Sequence, residues 1–459
     1  MRGGINPDMT ESVSSKPIFT RQQLIALLLP LVAEQALSVT IGLADTLMVS
    51  SVGEAAVSGV SLVDTFNTLM IQIMTALATG GAVVTSQYIG HREPKNAKST
   101  AGQIMLVMLA FSCTVALVVV FGRHMILRGI FGAIDDDVMV FAETYFLLSA
   151  LSYPFIGLYN AGAALFRAQG NSKISMLSSL VMNVLNIGGN AVFIYGCHWA
   201  VFGAALATLI SRIIACTAVI ALLQRPSCML RVDSIQSLRP DRKLIRRILV
   251  IGIPNAIENG MFQVGKLAVS SLTSTLGTAA IAANAVANNT TTLLNIPASA
   301  VGMGALTVLG QCLGAGEKKQ ARRYGVLMMG LAYAGAWVMN LSAFFFGNRF
   351  ILPFFNLSPE ADALAIQVMV WFNILSLFFW PSSFTLPNIL RAAGDARYTM
   401  MVSIVSMWLF RVGLCYLLVG HFGGGLLAIW TGMFVDWGFR SLFFVIRFIS
   451  GKWMENSVI

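Results

Sequence analysis

The sequence predicts an all-α integral membrane protein: twelve transmembrane helices forming two pseudo-symmetric six-helix bundles. Three observations predict it. Of 459 residues, 56% are hydrophobic and 11% charged, with a mean hydropathy of +0.76, whereas soluble domains carry about 25% charged residues. The apolar residues gather into runs of the length a helix needs to cross a bilayer, about 20 residues. The second half of the chain also repeats the first.

The N-terminal segment 1–23 has no apolar core beside a small-residue cleavage site, so no removable signal peptide is expected. Apolar runs then follow at roughly 24–48, 56–86, 99–122, 138–163, 174–196 and 200–224. A basic connection over 225–244 carries Pro226 and Pro240 and reads as a linker. Beyond it come six more runs, at roughly 245–273, 280–312, 324–346, 362–389, 399–420 and 425–449, so the second bundle spans 245–450 and a tail 451–459. Long unbroken runs exclude a membrane barrel, whose strands alternate, and a lipid-facing backbone must satisfy its own polar groups.

The formal charge is +10, which in a soluble chain would raise nucleic acid as a partner. Here the basic residues lie between apolar runs, so the lipid bilayer is the partner expected and nucleic acid is not. If the N-terminus is cytoplasmic, most Lys and Arg fall in inner segments. The outer segments hold only Arg123, Arg128 and Arg349, and the runs themselves hold Arg212, Lys266, Arg411 and Arg440. Both termini are therefore expected in the cytoplasm.

A shift of 224 positions lays Pro30 on Pro254, Glu34 on Glu258, Gly53 on Gly277, Gln87 on Gln311 and Gly90 on Gly314. It also carries Arg167-Ala168-Gln169-Gly170 onto Arg391-Ala392-Ala393-Gly394. Six helices is an even number, so both halves enter the bilayer from one side and are related by an axis along its normal. Paired bundles with a cleft at the repeat interface are a common transporter plan.

Other classes find little support. The six cysteines show no repeated spacing, the four histidines sit near run ends, and no GxxxxGK[ST] segment occurs. A disulfide framework, a zinc or haem site and self-powered ATP hydrolysis are thus not expected, nor is a membrane enzyme, since no catalytic His/Asp cluster appears.

Five acids lie well inside the runs: Glu34, Asp45, Asp64, Glu258 and Asp436. A charge at mid-membrane costs at least about 2.5 kcal/mol on insertion scales, which makes each a functional candidate. Asn183, Asn186 and Asn190 share one helix face, and Asn190 and Thr208 lie equally far from the turn at Trp199. Asp45 sits at similar depth on the first helix, so Asp45, Asn186, Asn190 and Thr208 are expected to converge as an ion-coupling site. Oxygen donors around a carboxylate suit Na+, and a carboxylate in a low-dielectric site equally holds a proton. The repeat places Val269, Phe410 and Leu414 opposite Asp45, Asn186 and Asn190, so this cluster belongs to one half only. The alternative is that the asparagines are interhelical glue.

Glu34 and Glu258, kept by both halves, are read as cleft-facing or proton-relay groups, with a structural hydrogen bond as the alternative. Lys266 is expected to face the cleft. Asp436, Arg440 and Arg411 are expected to neutralise one another, and Asp64 to hydrogen-bond between helices. Pro30 and Pro254 permit kinks and are candidate hinges.

The first helix with Leu29-Pro30 and Ala44-Asp45-Thr46-Leu47-Met48-Val49, then Gly53-x-Ala55-Ala56, Gln87-Tyr88-Ile89-Gly90, Arg167-Ala168-Gln169-Gly170 and Asn186-x3-Asn190-x3-Ile194-Tyr195-Gly196 resemble the multidrug and toxic compound extrusion family. Gln311-x2-Gly314 and Arg391-Ala392-Ala393-Gly394 repeat the pattern, and the resemblance covers nearly the whole chain. It implies a V-shaped pair of bundles in the cytoplasmic (inner) membrane, working as a monomer without a cofactor. The function implied is export of cationic or amphipathic drugs in exchange for inward Na+ or H+. The family's first-bundle ion residues match Asp45, Asn186, Asn190 and Thr208; Asn190 stands where some members carry a second acid, leaving Na+ versus H+ open. A lipid-linked oligosaccharide flippase of the wider superfamily would be expected to add helices or show a strongly cationic cleft.

Overall fold

The computed structural model describes residues 17–132, 135–231, 239–350, 357–455 and 458–459; the side chains of residues 41, 43–47, 50 and 346–350 lie outside that description. The described residues are helical nearly throughout, with no strand among them. In the first half, α1 (Arg21–Ser50), α2 (Glu54–Gly90), α3 (Pro94–Phe131), α4 (Asp136–Ala168), α5 (Ser172–Asn190) and α6 (Ala200–Leu223) each make one crossing. The α1 start is set by a capping box: Thr20 Oγ1 accepts from the Gln23 amide at 3.3 Å and Gln23 Oε1 from the Thr20 amide at 2.8 Å.

The second half runs α7 (Arg242–Ser274), α8 (Thr278–Leu294), α9 (Ile296–Gly314), α10 (Lys318–Phe350), α11 (Pro359–Trp380), α12 (Leu386–Ala392), α13 (Ala396–Ser406), α14 (Cys415–Gly420) and α15 (Leu426–Ile449). Short π-helical segments join α11 to α12 and α13 to α14, so each pair is one crossing. With α8 and α9 forming another, the expected twelve crossings are present. Eleven helices are long and apolar enough to span on their own; α7, which carries Glu258 and Lys266, is more polar.

The repeat is visible residue for residue. Helix α2 covers 54–90 and α8 with α9 cover 278–314, the same span moved by 224. Only the second copy is broken, at Asn295. Pro297 explains the break: it has no amide proton to donate and its ring meets the carbonyl four residues earlier, whereas α2 has Ile73 at that position. Pro297→Ala is expected to let α8 run into α9, seen as slower amide exchange over residues 294–299 than in the unsubstituted protein. Unchanged exchange there would place the cause of the break elsewhere.

The first helix of each half packs on the second helix of the other: α1 lies on α9, and α7 on α2. Asn255 Nδ2 donates to Ala76 O at 3.1 Å and the Gly252 backbone approaches Gly80 within this α7–α2 contact. Helices α2 and α9 also cross each other at Gly90 and Gly314, the repeat-related pair. A Cβ on Gly90 would lie 2.0 Å from Gln311 O, and one on Gly314 2.0 Å from Gln87 O. The two glutamines seal the junction symmetrically. Gln87 Nε2 donates to Ala392 O and Gln311 Nε2 to Ala168 O, both at 2.8 Å, which satisfies carbonyls in the last turns of α12 and α4.

Candidate functional site

A cavity of about 760 Å³ lies between the halves, bordered by α1, α2, α4 to α7, α9, α11, α12 and α15. Its charged lining is Glu34, Arg167, Arg212, Glu258, Lys266, Arg391 and Arg440. Glu34, Glu258 and Lys266 are among the lining residues, and both acids are held in ion pairs. Glu34 Oε1 is 3.1 Å from Arg167 Nη1 and accepts from Ser175 Oγ at 3.0 Å. Glu258 Oε1 is 2.7 Å from Arg391 Nη2. Glu34 and Glu258 are one repeat pair and Arg167 and Arg391 another, so the same ion pair is built twice.

Arg167 and Arg391 are the residues that sequence reasoning missed. It placed both in inner connections, because the apolar runs end near them; their long side chains reach back from the last turns of α4 and α12 to the acids. A signal was present: the repeat keeps an acid and an arginine together in both halves. Arg212 is held by donating to Ser152 Oγ at 2.6 Å.

Within the expected network of Asp436, Arg411 and Arg440, Asp436 Oδ2 lies 3.3 Å from Arg411 Nε and its charge also acts on Arg440, while Ser406 Oγ donates to Asp436 Oδ1 at 2.6 Å. Arg440 stacks at 4.6 Å on Phe384, donates to Ser383 O at 3.3 Å and lies 3.9 Å from Glu258. Asp64 accepts from Asn67 on its own helix at 3.3 Å, and Asn67 bridges to Ser149 and Tyr153 of α4.

The candidate ion-coupling residues are elsewhere, in the first half. Asp45 belongs to α1, but its side chain lies outside the described residues. Helix α1 packs on α5 and also touches α6, the two helices that carry the other three residues. Asn186 Nδ2 donates to Thr208 Oγ1 at 3.0 Å, and Thr208 Oγ1 donates to Ala204 O at 3.0 Å. Counting from the turn made Asn190 the residue level with Thr208. The helices instead meet with Gly189 on Ala207 and Gly203 on Phe193, a register that sets Thr208 between Asn186 and Asn190. The chain past Asn190 winds as a π-helix, Ala191–Gly196, whose wider turn shifts the count. Asn190 is buried, as are Asn183 and Asn186, and none of the three lines the central cavity.

Pro30 lies inside an unbroken α1 and Pro254 inside an unbroken α7. Each is four residues before its cavity acid, so a bend there would move the ion pair.

A second cavity of about 450 Å³ lies inside the second half. It shares Phe262, Lys266, Trp380 and Phe384 with the first and adds Arg411 and the amides of Asn284, Asn288 and Asn295. It opens beside the α8–α9 break. No cluster of three or more His, Cys, Asp or Glu side chains suited to a metal occurs among the described residues.

Two repeated six-crossing halves enclosing a charged cavity define a membrane transporter of the paired-bundle kind. The family model MatE matches residues 30–192 and 254–417, two stretches that begin 224 residues apart. The chain belongs to the MatE family, the multidrug and toxic compound extrusion proteins, which are transporters rather than enzymes. It is 27% identical over 452 residues to "Probable multidrug resistance protein NorM" of Thermotoga maritima, covering 96% of this chain and 94% of that protein. It is likewise 27% identical over 453 residues to "Uncharacterized transporter YisQ" of Bacillus subtilis, covering 96% and 97%. A solved structure described as MATE in the bent conformation shares the two-lobe fold, with a TM-score of 0.85 over 94% of each chain at 19% identity.

Proposed function

We propose that the chain is a multidrug antiporter of the cytoplasmic membrane, acting as a monomer with both termini cytoplasmic. It exports cationic or amphipathic small molecules from the central cavity in exchange for Na+ or H+. The observation that carries this reading is the division of labour in the fold. A cavity large enough for a drug-sized molecule lies between the halves, while a separate polar group, Asn186 with Thr208 beside Asn190, stands in one half only.

Alternating access requires the coupling ion to bind two conformations with different affinity. Asp45, Asn186, Asn190 and Thr208 offer oxygen donors on α1, α5 and α6, so an ion bound there would hold α1 against α5. Pro30 permits α1 to bend between that site and the opposite end, and a family structure described as bent supports such a motion. Because α1 also packs on α9 across the junction, its bending would alter the cavity where Glu34 sits.

The test is dye export from proteoliposomes under Na+ and pH gradients imposed one at a time. One gradient is expected to drive export, and Asp45→Asn to reduce driven export to the ungraded level while membrane insertion stays normal. Full export by Asp45→Asn would reject Asp45 as the coupling carboxylate, and dependence on neither gradient would reject antiport.

One observation favours the lipid-linked oligosaccharide flippase as a second reading: the cavity holds more basic than acidic side chains. The fold speaks against it, since the described residues make twelve crossings with no additional helices.

A further inference from the structure

The cavity lining has five basic side chains against two acids, and the adjoining cavity adds Arg411 and no acid. Each carboxylate is already in an ion pair, with Glu258 Oε2 alone among the oxygens of Glu34 and Glu258 left buried without a hydrogen-bond partner. Glu34 holds Arg167, Glu258 holds Arg391, and Asp436 holds Arg411. Two cations of the central cavity, Lys266 and Arg440, are less fully compensated. Lys266 makes no ion pair among the described residues, and its ammonium rests 5.4 Å over the Phe262 ring. Arg440 is 3% exposed, and its Nε and Nη1 are buried with no hydrogen-bond partner; Glu258, at 3.9 Å, is beyond hydrogen-bond length.

A buried guanidinium with idle donors is costly, and an acceptor carrying negative charge relieves that cost. Beside these donors stand Phe262, Phe384 and Trp380, with Phe384 and Trp380 stacked at 4.9 Å. Aromatic walls beside a pair of cations favour a ligand with an apolar body and an anionic end. An organic cation would meet the basic surplus directly.

We propose that the transported substrate is an amphipathic anion, whose carboxylate, sulfonate or phosphate binds between Lys266 and Arg440 with its apolar body against Phe262, Phe384 and Trp380. The proposal deepens the export reading and rests on the same cavity. It narrows the substrate class from cationic or amphipathic drugs to amphipathic anions.

Binding to the purified full-length protein in uncharged detergent, without any gradient, tests the proposal separately from coupling. Two probes differing in charge sign, 2-naphthalenesulfonate and 2-naphthyltrimethylammonium, are titrated against quenching of tryptophan fluorescence. Dihexanoyl phosphatidic acid is then added as a competitor. The sulfonate is expected to bind about tenfold or more tightly than the ammonium, and Lys266→Gln to weaken the sulfonate by about tenfold without weakening the ammonium. Lys266 makes no hydrogen bond among the described residues that its loss would break, so this variant is expected to fold; Arg440→Gln is the second variant, expected to act in the same direction. Competition by the phosphatidic acid would identify a lipid phosphate as the source of the anion, and sulfonate binding without competition a soluble anion; both support the proposal. Binding of the ammonium as tight as that of the sulfonate, no binding of either anion, or unchanged sulfonate affinity in Lys266→Gln would overturn it. Loss of gradient-driven export with this selectivity intact would instead reject the coupling reading alone.

Discussion

Glu258→Gln is expected to destabilise the protein by about 3–5 kcal/mol, the usual cost of removing one partner from a buried ion pair. The side chains of Glu258 and Arg391 are 6% and 10% exposed and 2.7 Å apart. Arg440 lies 3.9 Å from the same oxygen. An amide there leaves two guanidinium groups without their shared counter-charge. Glu34→Gln should cost less, although the repeat makes it the matching substitution. Its pair is longer at 3.1 Å and somewhat more exposed, at 11% and 14%. Each arginine keeps one neutral acceptor at 2.8 Å, Ser175 for Arg167 and Asn388 for Arg391, so the nearby Arg440 is what sets the two sites apart. Unfolding of the two purified variants in detergent, followed by circular dichroism against the unsubstituted protein, measures the difference. Equal losses would mean that the second cation, Arg440, does not depend on Glu258.

The comparison also marks how far the sequence could be read. Twelve crossings were legible because lipid demands long apolar runs, and the halves were legible because 224 positions separate residues that play the same part. Side-chain reach was not. Arg167 and Arg391 lie at run ends, and counting runs cannot tell a guanidinium pointing to water from one turned back to an acid. The break at Asn295 had a visible cause in Pro297, inside a run read as continuous. The π-helical turn after Asn190 has no local residue signature, so counting residues from the turn could not fix the register of α5 on α6. Which of Arg411 and Arg440 would meet Asp436 directly was likewise not legible, because the two arginines lie on different elements and their distances are set only on packing. Each of these is a tertiary effect overriding a local rule.

Gly90→Ala is expected to cost at least the upper part of the roughly 1–3 kcal/mol typical of overpacking, and Gly314→Ala a similar amount. The added carbon would stand 2.0 Å from a backbone oxygen in either case, Gln311 O or Gln87 O. Backbone cannot rotate aside as a side chain can, so the helices α2 and α9 must separate. Separation in turn strains the bonds from Gln87 to Ala392 and from Gln311 to Ala168, which cross between the halves. Gly330→Ala is the control: nothing lies within 4 Å of the added carbon, and alanine in an open helical position is expected to stabilise by about 0.5–1 kcal/mol. The double variant discriminates further. Both clashes are relieved by one separation of the same two helices, so Gly90→Ala with Gly314→Ala should cost clearly less than the sum of the single losses. Additive losses would mean that each glycine is accommodated locally, and that the junction is not one rigid crossing shared by the two halves.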